Sequence, residues 1–194
     1  MQGLSDSFKI RVHEYVWSIR ALSEDGSKKR NLIEPRLDIA KHLEILQDHG
    51  FCNFVVLGNN ELKSAAEASF EKNKILLSER TYIAACNDDP EARFIIAHEI
   101  GHLLLHRDKE SSSIGYMMEE EANYFAVELL APTELLAIDM KKYRTKSQDF
   151  ARIFGIEPYI AEMQRKAVEK EVEKHGVAFF EKSLQKYIEN SKNR

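Results

Sequence analysis

The residues best suited to chemistry lie in the stretch Arg93-Phe94-Ile95-Ile96-Ala97-His98-Glu99-Ile100-Gly101-His102-Leu103-Leu104-Leu105-His106. Read as a helix, it sets His98 and His102 one turn apart on a common face. Two imidazoles on one rigid face suit a tetrahedral Zn²⁺, and Glu99 falls beside such an ion as a general base. Phe94, Ile95, Ile96, Ile100, Leu103 and Leu104 make this a buried helix. Burying two histidines and a glutamate costs stability unless something pairs with them. His-Glu-x-x-His arises by chance in roughly 3 of 100 chains of this composition, so the pattern needs context. The plain alternative is a core helix whose histidines are satisfied by their neighbours.

A hydrolytic zinc site takes three protein ligands and keeps one position open. The third is sought in Met117-Met118-Glu119-Glu120-Glu121-Ala122-Asn123-Tyr124-Phe125-Ala126-Val127-Glu128-Leu129-Leu130-Ala131-Pro132, a helical pattern with three glutamates at its start. Neighbours on a helix are turned by about 100°, so only one of the three can face a given point. Glu119 and Asn123 share a face. Glu119 as ligand, with Asn123 beneath it to orient the site, meets both needs. Glu121 is the rival ligand, and Glu120 is assigned to solvent at the positive end of the helix dipole. His106 continues the four-residue series but drifts about 40° at each step. It is read as a helix-end residue or the partner of a neighbouring carboxylate.

The elements that must position these residues follow from periodicity. Phe8, Val12, Tyr15, Val16 and Ile19 predict an amphipathic helix over 5–22. Glu24 to Asn31 is a polar connection. Pro35 is expected in the first turn of a second helix with Leu37, Ala40, Leu43 and Leu46 inward, stopped by Gly50. Phe51 to Leu57 predicts a strand bounded by Gly58-Asn59-Asn60, and residues 66–71 and 74–79 a hairpin around Lys72-Asn73. An edge of this sheet is a place to hold an extended peptide by main-chain pairing. Asp88-Asp89-Pro90-Glu91 is a strong start for the His98 helix. Asp108 to Gly115 is a Ser-rich loop, either a lid or a connector. Beyond Pro132 the pattern predicts helices, with a turn at Gly155 and a break at Gly176.

The fold class expected is α+β: a helix-dominated single domain with a small antiparallel sheet and an active-site helix. Its division is a core over 1–132 and a helical extension over 133–194 packed on it. The net charge of −4 argues against a general nucleic-acid binder, although Lys141 to Arg194 holds 13 basic and 8 acidic residues. That excess is read as a solvated helical tail. Cys52 and Cys86 are too few for a disulfide framework and are expected as buried thiols. Without a signal-peptide layout or an apolar run of spanning length, the expected location is cytoplasmic and away from membranes.

The blocks Arg93 to His106 and Glu119 to Pro132 together closely resemble the ImmA/IrrE family of metallopeptidases, most firmly from Ile75 to Pro132. Phe150 to Ile156 is similar to a turn in that family's tail, and Ala131 departs from its usual methionine. The resemblance implies a gluzincin-like zinc endopeptidase with one Zn²⁺ per chain. His98, His102 and Glu119 would be the ligands and Glu99 the base. The substrate implied is a helix-turn-helix repressor of a mobile element, phage or stress regulon. No direct nucleic-acid binding is expected, since no N-terminal helix-turn-helix domain is recognisable, and His106 or Tyr116 is the expected oxyanion donor. Two other readings stand beside it. One is a non-catalytic zinc-bearing regulator that binds a repressor or toxin without cutting it. The other is a nucleic-acid-binding module formed by the basic tail.

Overall fold

The sheet that carries the site is built around β3 (Lys74–Ser78), whose Ile75 and Leu77 are fully buried. The computed structural model describes residues 4–22, 34–58, 61–107, 115–143 and 146–192. The polar connection 24–31, Asn59-Asn60 and nearly all of the Ser-rich loop, 108–114, lie outside the described residues. β2 (Ala66–Ser69) pairs antiparallel with β3, from Ala66 opposite Leu77 to Ser69 opposite Lys74. Asn73, at φ 45°, closes this hairpin. β1 (Asn53–Leu57) pairs with β3 in parallel, so the strand order is β1-β3-β2 and the sheet is mixed rather than wholly antiparallel. The tight turn forces β2 against β3 head to tail, which leaves the other edge of β3 for β1.

The chain is a helix-dominated α+β fold, divided into two compact units, one built on Asp38–Ala126 and the other on Asp6–Leu37 with Val127–Arg194. In the first, α2 (Ile39–Asp48) begins at Asp38, whose carboxylate caps the Lys41 N–H. Pro35 therefore precedes the helix instead of sitting in its first turn, because the Asp cap is the stronger start. Leu37, Ala40, Leu43 and Leu46 are buried as expected. Gly50, at φ 72°, ends the helix: Phe51 N–H returns to Leu46 O and Gly50 N–H to Gln47 O, both at 2.9 Å. This is the Schellman pattern, which needs a left-handed residue. α3 (Glu79–Cys86), capped by Ser78, has no counterpart in the sequence reading. It buries only Thr81 and Ala85, too little for a visible helical stripe.

α4 (Pro90–Leu105) starts where Asp89 accepts from the Ala92 N–H at 2.9 Å. Just past its end, Arg107 donates to Phe51 O at 2.8 Å and to Asn73 Oδ1 at 3.0 Å, tying the helix to the sheet. α5 (Tyr116–Leu130) supplies the second half of the site from its first turns.

The second unit gathers α1 (Asp6–Arg20), α6 (Thr133–Tyr143), α7 (Ser147–Phe154), α8 (Pro158–His175) and α9 (Val177–Lys192). Val12, Val16 and Trp17 of α1 are buried, and Trp17 stacks on Tyr187 of α9 at 5.7 Å. Buried Arg20 donates to Leu129 O at 2.8 Å, satisfying a carbonyl at the C-terminal end of α5. Gly155 and Gly176 lie at φ 64° and 74°, at the turn and the break expected. Phe150, Phe154, Ile160 and Ala161, on either side of that turn, are core residues. No helix among the described residues is long and apolar enough to cross a membrane.

Candidate metal centre

α4 and α5 are brought close where a side chain is missing. A Cβ on Gly101 would stand 2.9 Å from Phe125 Cδ1 and 3.3 Å from the Ala122 backbone. The glycine lets the first turns of α5 lie over the histidine face of α4. There His98 Nε2 and His102 Nε2 are 2.9 Å apart, and the Glu119 carboxylate reaches both at 3.3 Å. These three donor atoms lie within 4.8 Å of one another.

The proton count at this point favours a cation. His98 Nδ1 donates to Asn123 Oδ1 at 3.0 Å. His102 Nδ1 faces His106 Nδ1 at 3.2 Å, and His106 Nε2 faces Glu121 Oε2 at 2.9 Å. A neutral imidazole with its proton on Nδ1 turns a lone pair outward from Nε2. Burial holds His98 below the ordinary histidine range and, with the charges of His98 and His106, pulls His102 down to about 3. Two lone pairs and a carboxylate therefore converge on one point. Tetrahedral zinc with nitrogen ligands at its usual length separates its donors by about 3.3 Å, so the residues fit the ion with a shift of a few tenths of an ångström.

Glu99 stands next to His98 on the half-buried part of α4. Burial pushes its carboxyl up to about 7; the Ala68 N–H opposes this, and the negative charges of Glu119 and Glu67 add to it. Ala68 belongs to edge strand β2. Glu121 is turned to His106 rather than to the paired Nε2 atoms, and Glu120 is outside the donor group. Of the two residues considered as oxyanion donors, His106 is buried with both ring nitrogens engaged, and Tyr116 is 80% exposed at the start of α5. Cys52 is buried, but Cys86 is exposed at the last position of α3, contrary to expectation. A helix read from its apolar periodicity would have revealed that orientation; α3 has none to read.

Sequence reasoning did not find a second group of ligand-type side chains, His13, Glu128 and Glu134, in the other unit. Their spread over more than 100 positions leaves no local signal. Glu134 meets His13 Nδ1 at 2.9 Å and accepts from Trp17 Nε1 at 3.2 Å. Glu128 accepts from the Thr133 hydroxyl at 2.7 Å, the Thr133 N–H at 3.0 Å and Gln164 Nε2 at 2.9 Å. Burial works against the charge on His13, but the two glutamates reverse this and raise it to about 9. The cluster reads as a buried ion-pair network.

Neither the comparison with curated proteins nor that with solved structures gives a match. The model of the Peptidase_M78 family, described as an IrrE N-terminal-like domain, matches residues 59–164. That span runs from the β1–β2 connection into α8 and takes in β2, β3 and all of α4 and α5. More than half of the chain is therefore accounted for by one family, and the chain belongs to it.

Proposed function

We propose that this chain is a zinc-dependent endopeptidase, and that its substrate is a helix-turn-helix transcriptional repressor. Family membership supports a metallopeptidase-type activity. The observation that carries the reading is the convergence of His98 Nε2, His102 Nε2 and Glu119 on one point, with Glu99 alongside. The repressor as substrate is inferred from the resemblance carried by the two helical blocks.

In this reading His98, His102 and Glu119 hold the ion and leave one side open to solvent, since the Glu119 side chain is 46% exposed. Zinc held there supplies Lewis-acid polarisation of a carbonyl and acidifies water. Glu99 takes a proton from water and delivers it to the leaving amine. The outer edge of β2, already bonded to Glu99 through Ala68, offers main-chain groups to an extended peptide. Tyr116, exposed at the start of α5, is the oxyanion donor assigned in this reading.

The test is cleavage of purified helix-turn-helix repressors by the zinc-loaded protein, followed by mass spectrometry. Glu99→Gln is expected to keep stoichiometric zinc and lose about 10²- to 10⁴-fold in rate, the usual weight of a general base. Repressor captured by both proteins but cut by neither would replace this reading with a binding regulator. Loss of zinc in Glu99→Gln would move Glu99 from base to ligand.

A further inference from the structure

His106 is sealed from solvent at 4% exposure, yet both of its ring nitrogens are in use. Its partners decide where its proton sits. The Glu121 carboxylate only accepts, so the nitrogen facing it at 2.9 Å, Nε2, donates. An imidazole that offers its Nε2 lone pair to a metal keeps its proton on Nδ1. As a ligand, His102 thus donates from Nδ1 to His106 Nδ1 at 3.2 Å and turns its Nε2 lone pair toward Glu119 and His98. The opposite order would protonate His102 Nε2 and close the donor set to a metal.

We infer that Glu121 and His106 are positioning residues: a carboxylate–histidine relay that fixes the tautomer and ring plane of His102 as a metal ligand. His98 receives the same service in one step, from the Asn123 side-chain oxygen at 3.0 Å. His102 receives it in two, because its Nδ1 points along α4 to His106, the residue that caps that helix. Two glutamates of one acidic run thus take different parts, Glu119 on the donor set and Glu121 behind it. Outer partners of metal ligands typically contribute 10- to 100-fold in affinity.

This inference rests on the metal centre proposed above, and the experiment separates the two. Zinc affinity is measured by chelator competition for the full-length wild type, Glu121→Leu, His106→Leu and His106→Asn. An asparagine oxygen takes the place of His106 Nδ1 and still accepts from His102. The two leucine variants are expected to lose about 10- to 100-fold, and His106→Asn to stay within about threefold of wild type, given one relay partner kept. Nitrogen-15 spectra of the zinc-loaded wild type should show a proton on His106 Nε2 and a lone pair on Nδ1. That spectrum stands even where a variant does not fold. Wild-type affinity in His106→Leu, equal losses in the leucine and asparagine variants, or a His106 proton on Nδ1 would each overturn the relay alone. Failure of the wild type to bind zinc would overturn the metal centre and the relay with it.

Discussion

At His13 the surroundings favour the charged imidazole; at His102 they favour the neutral one. The difference lies in their neighbours. His13 meets two buried carboxylates, which outweigh its burial and raise it to about 9, while His102 meets burial and two further histidines and falls to about 3. The gap between 6.5 and about 9 at His13 is worth roughly 3 kcal/mol. A raised value in the folded state contributes fully below pH 6.5 and is lost as pH climbs through about 9. The same pair depresses Glu134, so the contribution also fades at acid pH, below the ordinary carboxylate range. Urea unfolding at pH 6.5 and 9.5 is expected to show the wild type losing stability that His13→Gln lacks at both values; parallel losses would refute the assignment. At this scale the pairing of His98 with His102 was legible, because four-residue spacing on a helix is a local pattern. The His13 cluster was not, because its members meet only through tertiary packing.

Among the elements, α4 and α5 depend on a missing side chain. The contacts a Cβ would make at Gly101 include the Ala122 backbone, which cannot rotate away as a side chain can. Gly101→Val is expected to cost about 1–3 kcal/mol through overpacking, and to weaken zinc binding by moving Glu119 away from the two histidines. Thermal melts with and without zinc check both halves. A stable variant with full affinity would mean that the helices are not held at that point. Caps and stops were readable here, as at Asp89 and Gly50, because each is a few residues acting on nearby backbone. The direction of β1 was not, since short apolar strands carry no sign of which neighbour they join. Pro35 shows a local rule yielding to a stronger one, the Asp38 cap.

For the molecule as a whole, a ligand that binds only the folded chain adds to its stability in proportion to its excess. Zinc at about 100 times its dissociation constant should add about 2.7 kcal/mol. Chelation should remove that increment from the wild type and change nothing in Glu119→Ala, which lacks one of the three donors. An increment retained by Glu119→Ala would place the ion elsewhere. The amphipathic face of α1 was visible in the sequence, but not that it groups with α6 to α9; periodicity shows that a face is covered, not by what. The two thiols lead to a different kind of measurement. Cys86 is exposed, whereas Cys52 is buried and its thiol is pushed up to about 11 by that burial, against the charge of Arg107. An alkylating reagent at neutral pH should therefore attach once, quickly, at Cys86. The second adduct forms only when the interior near Cys52 opens, so its rate counts those openings and turns an ordinary mass spectrum into a clock for local unfolding.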